Sequence, residues 1–292
     1  MNSAIYKTLL RPLSWLPFRA LYMMSDVTAF TLRHIIRYRR KVVKTNLGAA
    51  FKGMHKRDLH RIEKKFYRNF TDSFFETAKL LNISDDEMRS RVSFEGLDII
   101  DRMLDSGRSV TVYFAHTFNW EWAPSVTLFA RHRPDDKVEY GQVYRPLRSA
   151  GFDALMLELR SRFGSVSYPK EQVLRRLIEA RDRGQLTVTG FMSDQHPGHG
   201  DPGHITNLLG IPTRMISGTE TLARKLGTGV VYWDVVRMGR GRYKIITRLL
   251  AENAADTRPG ELTEAYTRSL EHTILRDPAL WLWTHKRWKN HI

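Results

Sequence analysis

The sequence predicts an α/β fold: a central, largely parallel sheet flanked by helices. Short apolar, β-branched runs recur at residues 110–115, 138–144, 186–192, 230–236 and 243–250. Helical patterns of roughly ten to fifteen residues stand between most of them, and this alternation marks strand–helix–strand units that build parallel sheets. The last two runs flank Gly239-Arg240-Gly241, which reads as a hairpin turn and would add an antiparallel edge.

Taken in order, the first element is an apolar stretch over 13–36 (LSWLPFRALYMMSDVTAFTLRHII), interrupted by Arg19, Asp26 and Arg33. A spanning helix needs about twenty apolar residues with few charges. The stretch therefore reads as a helix lying in a membrane interface, with Trp15, Phe18 and Tyr22 at headgroup level. The alternative is a buried first helix followed by a solvated charge run. Arg37, Arg39, Arg40, Lys41 and Lys44 come next, and basic residues flanking an apolar segment favour the cytoplasmic side and anionic lipid. No small-residue cleavage site follows, so a secretory signal peptide is not expected. The organisation expected is a membrane-associated helical segment over 1–40 ahead of one domain over 41–292.

Residues 57–81 form an amphipathic pattern in which Leu59, Ile62, Phe66, Phe70, Phe74, Ala78 and Leu81 share a face. Ser84 with Glu87 three residues later is a capping box for a short helix. Ser106-Gly107 precedes the first sheet strand, and helices are expected over 120–130 and 148–162. Pro169 opens another helix that closes near Gly184, with Val173, Leu174, Leu177 and Ile178 as its buried stripe. Helices over 215–226 and 261–275 complete the list. No repeat, low-complexity segment or long linker divides the chain.

Composition narrows the function classes. Among 292 residues, 42% are hydrophobic, enough to build a core, and there is no cysteine. The latter excludes disulfides, thiolate nucleophiles and cysteine zinc sites together. Lys and Arg number 47 against 31 Asp and Glu, a balance of +16. Such a surplus implies an anionic partner: nucleic acid, a membrane surface or an acidic protein. The basic residues are spread along the chain and not gathered into one patch with interleaved aromatics, so nucleic acid is not expected.

In α/β sheets the reactive polar residues lie just past the strand ends. Ala115-His116-Thr117-Phe118-Asn119-Trp120-Glu121 occupies that position after the first sheet strand. The loop is expected to bring the Glu121 carboxylate back to one imidazole nitrogen of His116, leaving the other nitrogen to accept a proton from a hydroxyl. Spacing alone leaves a structural histidine as an equal alternative. The loop 196–204 holds His196, His199, Asp201 and His204, all ligand types, but its two prolines and three glycines give no helical ligand spacing. Neither a metal nor a cofactor is expected.

His116-x4-Glu121 after an apolar strand resembles the signature of the lysophospholipid acyltransferase superfamily, and more specifically of the late acyltransferases of lipid A biosynthesis. Further stretches match in order. They are Tyr38-Arg39-Arg40-Lys41-Val42-Val43 with Asn46-Leu47, Tyr144-Arg145-Pro146-Leu147, Asp194-Gln195, Gly210-Ile211-Pro212, and Trp281-Leu282-Trp283 through Arg287-Trp288-Lys289. They run from about residue 38 to 289, nearly the whole chain. Leu208-Leu209 stands where family members usually place an aromatic, which leaves the cleft shape there open.

The resemblance implies a glycerophosphate-acyltransferase-like fold, with 41–292 as the catalytic domain, at the cytoplasmic face of the inner membrane. It implies transfer of an acyl chain from an acyl carrier protein thioester to a hydroxyl of a lipid A precursor. His116 and Glu121 would be catalytic. Asn119, Arg145, Asp194, Gln195, Gly210 and Pro212 would bind substrate or shape the cleft, with Arg145 holding an oxyanion or a sugar phosphate. Asp194 and Gln195 are equally suited to cap loops, and Arg145 to be a surface arginine before Pro146. A glycerophospholipid, aminolipid or glycolipid acceptor, and coenzyme A as donor, stay open, and the alternative to an enzyme is a non-catalytic membrane- or nucleic-acid-binding protein.

Overall fold

The computed structural model describes residues 3–117, 119–135, 137–198 and 200–288. The apolar stretch at the N-terminus is two helices and not one: α1 (Ser3–Trp15) and α2 (Phe18–Phe30). Pro17 separates them with extended backbone at φ −64° and ψ 150°, since proline disfavours helix in the residue before it and has no N–H for the ladder. A π-helical turn, Thr31–Ile35, ends α2. Arg37 and Arg39, both at positive φ, then turn the chain into α3 (Arg40–Ala50). Among the described residues no helix is long and apolar enough to cross a membrane.

α4 (Lys56–Lys79) realises the amphipathic pattern, burying Phe66, Phe70 and Ala78, although Phe74 is exposed. Its buried face also carries Glu63, Asn69, Asp72 and Glu76. The Ser84 hydroxyl accepts a hydrogen bond from the Glu87 amide at the start of α5 (Asp85–Arg91), as the capping box requires.

The sheet has seven strands: β1 (Val92–Glu95), β2 (Val110–Phe114), β3 (Val138–Tyr144), β4 (Val166–Pro169), β5 (Leu186–Met192), β8 (Gly229–Gly239) and β9 (Arg242–Ala251). A separate hairpin pairs β6 (His204–Leu208) with β7 (Ile211–Met215). The order β1-β9-β8-β2-β5-β3-β4 is parallel at every step except β8–β9. The antiparallel pair therefore lies inside the sheet, because β1, unmarked in the sequence pattern, covers β9. At its turn Gly241 has φ +66°, and a Cβ there would collide with the Tyr22 hydroxyl.

Helices α6 (Leu97–Asp105), α7 (Ala150–Ser161), α8 (Val173–Asp182) and α9 (Gly218–Leu226) connect the strands, and α10 (Glu261–Arg276) follows the last of them. Pro169 ends β4 and does not open a helix directly; a 3-10 turn intervenes before α8. The helix expected over 120–130 is a 3-10 helix, Trp120–Leu128, with Pro124 inside it. Proline removes the amide that an α-helical ladder would use.

Alternation along β2 divides the core. Val110, Val112 and Phe114 face a cluster with Trp122, Val126, Val188 and Trp233. Tyr113 and Ala115 face the opposite layer with Tyr232, Tyr266, Leu270 and Trp281.

Candidate active site

Two residues past the end of β2, His116 falls on the same face as Val112 and Phe114. The register of β2 on β5 pairs Val110 with Val188 and Phe114 with Met192. Continued two residues further, it sets His116 beside Asp194. The contact is made: His116 Nδ1 lies 2.7 Å from Asp194 Oδ1, and the His116 amide donates to Asp194 Oδ2 at 3.2 Å. Trp281 Nε1 donates to the same Oδ2 at 2.8 Å. Trp281 is anchored by an antiparallel bridge to Thr117.

Asp194 is buried. Burial alone would push its carboxyl up, but attraction to the His116 ring and the donors from His116 and Trp281 outweigh it and hold the group at about 2. An ionised carboxylate only accepts, so Nδ1 carries the ring proton. Nε2 of the neutral ring is then an acceptor. Gln195 Nε2 stands 3.2 Å from it and donates to it.

The carboxylate that meets the His116 ring is thus Asp194, where the sequence led us to expect Glu121. Among the described residues no hydrogen bond joins Glu121 to His116. Instead Arg160, from α7, clamps Glu121 at both oxygens, with Nε at 2.8 Å and Nη2 at 2.7 Å. Trp120 Nε1 also donates to Glu121 at 3.1 Å, and its ring stands edge-on to the His116 ring with centroids 5.2 Å apart. The five-residue spacing puts Glu121 in the same cavity as His116, but the guanidinium across the cavity captures it.

That cavity has a volume of about 440 Å³, within the range of small-molecule sites. His116, Glu121, Arg160 and Gln195 line its polar part, and Val112, Phe114, Val126, Val188, Gly190 and Trp233 its apolar depth. Gly190 lets the Phe114 ring pack against β5, since a Cβ there would meet that ring at 2.9 Å. Arg145 and Lys170 stand exposed at the rim.

The other candidates lie elsewhere. Asn119 faces away from the cavity: its Nδ2 donates to Glu76 at 3.2 Å and its Oδ1 accepts from the Glu121 amide at 3.0 Å. Gly210, at φ +72°, and Pro212 belong to the β6–β7 hairpin and do not line the cavity. Leu208 and Leu209 are buried in the layer that contains α10.

In the histidine-rich loop, Asp201 accepts from the Ser217 hydroxyl and from the amides of Gly203, Ser217 and Gly218. His204 pairs with Glu264. Among the described residues no three His, Asp or Glu side chains gather as metal ligands. Phe118, His199 and Lys289 lie outside the described residues.

Trp281, Arg160 and Glu76 carry contacts to this centre that the sequence motifs did not assign to them. A family model described as bacterial lipid A biosynthesis acyltransferase matches residues 3–290. No individually curated protein matches the chain.

Proposed function

The chain belongs to the bacterial lipid A biosynthesis acyltransferases and is an acyl-transferring enzyme; from that membership we propose that it moves a fatty acyl group from an acyl carrier protein thioester to a hydroxyl of a lipid A precursor, with His116 as general base. The observation that carries this reading is the His116 ring, tied at Nδ1 to a buried carboxylate and turned with Nε2, where Gln195 donates, towards a cavity with apolar depth. His116 Nε2 accepts the proton of the acceptor hydroxyl as its oxygen bonds to the thioester carbonyl carbon. Collapse of the tetrahedral adduct breaks the C–S bond, and the imidazolium returns the proton to the departing thiolate.

Asp194 holds the ring in the working tautomer and stabilises its charged form, as the carboxylate does in base–carboxylate dyads generally. Gln195 releases Nε2 when the hydroxyl arrives, and its amide N–H groups are then placed to donate to the developing oxyanion. Glu121 and Arg160 form a neutralised wall that fixes Trp120 against the catalytic ring. The apolar depth takes the acyl chain, and Arg145 with Lys170 meets phosphate at the mouth. The surplus of basic residues suits an acidic carrier protein as donor.

The test is direct. Purified protein is given acyl carrier protein loaded with chains of graded length, or the corresponding coenzyme A thioesters, and a lipid A precursor bearing free 3-hydroxyacyl chains. A product heavier by one acyl group in mass spectrometry is expected from the carrier-protein donor. Its absence with every donor would remove this reading.

Residues 1–40 are proposed as a membrane-associated segment ahead of the catalytic domain 41–292, seating the protein on the cytoplasmic face of the inner membrane. α2 supports this because it has two apolar faces. Phe18, Leu21 and Ala29 are buried, while Met23, Val27 and Phe30 are 65%, 68% and 60% exposed. Burying a large apolar side chain stabilises by about 1.5–3 kcal/mol. Joint replacement Val27→Glu and Phe30→Glu should therefore lower partitioning onto phosphatidylethanolamine–phosphatidylglycerol vesicles by at least about tenfold. Unchanged flotation of that variant would count against α2 as the seat.

A further inference from the structure

Glu76, on α4, is completely buried. A buried carboxylate is costly unless donors surround it, and here they come from three separate segments. Tyr22 of α2 donates to Oε1 at 3.0 Å. Tyr243 of β9 donates to Oε2 at 3.0 Å. Asn119, three residues past His116, donates to Oε2 at 3.2 Å. The link continues into the active-site loop, where Asn119 Oδ1 receives the Glu121 amide at 3.0 Å. The backbone carbonyl of Glu76 also receives Trp122 Nε1 at 3.2 Å. One residue of α4 thereby holds both ends of the 119–122 turn, and Glu121 sits between them.

Its neighbour Asp72, one helical turn earlier, is neutralised differently. Arg240 and the Ser25 hydroxyl bind it directly, while among the described residues no cation pairs with Glu76. Of these two neighbours, Asp72 is the one held in salt bridges, to Arg240 and Arg237. What distinguishes Glu76 is that its side chain and its backbone carbonyl each accept a hydrogen bond from the active-site loop, from Asn119 and Trp122.

We propose that Glu76 is a positioning residue for acyl transfer, acting through Asn119 to set the turn that presents Glu121 to Arg160 and Trp120 to the His116 ring. The inference rests on the acyl-transfer reading above. Glu76 touches no reacting atom; its effect is on the geometry of groups that do, and misplacement by about 1 Å is enough to cost roughly a hundredfold in rate.

The experiment compares Glu76→Ala, Glu76→Gln, Asn119→Ala and the double alanine variant in the carrier-protein assay, with melting temperature measured on each. Glu76→Ala is expected to lower kcat by about ten- to hundredfold while the donor KM stays within about threefold. Glu76→Gln, whose carbonyl oxygen still accepts from Asn119, should return kcat to within about threefold of the parent. The double variant should be no slower than Asn119→Ala alone, because both act on one link.

The proposal is overturned if Glu76→Ala melts lower yet turns over normally per folded molecule, or if the two alanine effects multiply. Should Glu76→Ala not fold, Asn119→Ala and Asn119→Asp carry the test: both must slow turnover with donor KM held, and normal kcat in either overturns the link. His116→Ala in the same assay separates the two failures. If it is inactive while the Glu76 and Asn119 variants are normal, only the positioning role falls; if it is active, the acyl-transfer mechanism falls first.

Discussion

Alanine at position 116 is expected to cut acyl transfer by about 10³-fold or more, with the fold retained. General base catalysis from a positioned imidazole contributes roughly 10²–10⁴-fold, and among the described residues the other histidine lining the cavity, His196, makes no hydrogen bond to Asp194. The structural cost is contained because Asp194 keeps two of its donors, the residue-116 amide and Trp281 Nε1. Single-turnover transfer from labelled acyl carrier protein measures the loss, and circular dichroism checks the fold. Turnover near the parent's would show that the proton goes elsewhere.

Asparagine at position 194 is expected to lower kcat by about 10²–10⁴-fold with donor KM little changed, by analogy with the serine-protease case in which the same substitution imposes the wrong tautomer. An amide NH2 facing Nδ1 turns that nitrogen into the acceptor and moves the ring proton to Nε2, where it blocks uptake from the hydroxyl. Glu121→Gln should cost only on the order of tenfold, through loosening of Arg160 and Trp120. The reverse order of losses would hand orientation back to Glu121.

A stability signature accompanies the Asp194 substitution. The folded carboxyl is held at about 2, below its ordinary value near 3.9. A depressed carboxylate contributes stability above its unfolded value and loses it as pH falls through the folded one. The gap in unfolding free energy between parent and Asp194→Asn should therefore be full at pH 6 and shrink between about pH 4 and 2. A gap that does not change with pH would show that Asp194 is not an ionised partner of His116.

Much of the architecture could be read along the chain. β3 and β5 coincide with the apolar runs at 138–144 and 186–192, and α4 and α10 with their amphipathic stripes, because period-2 and period-3.6 patterning is written locally. β1, β4, β6 and β7, four or five residues each, escaped notice. Strands that short hold too few alternations to stand out, and their stability comes from neighbours distant in sequence. The break at Pro17 was present in the sequence as a proline inside an apolar run, and is its direct consequence.

For the site, the sequence alone pointed to a histidine just beyond one buried strand and Asp194 just beyond another, but not to Arg160 or Trp281. Which carboxylate the imidazole meets was decided only by tertiary structure. Proximity along the chain favoured Glu121, but parallel pairing of β2 with β5 sets His116 opposite Asp194, and Arg160 from α7 claims Glu121. Strand register and helix placement are properties of the whole sheet, and a hydrogen bond follows distance in space, whatever the separation in sequence.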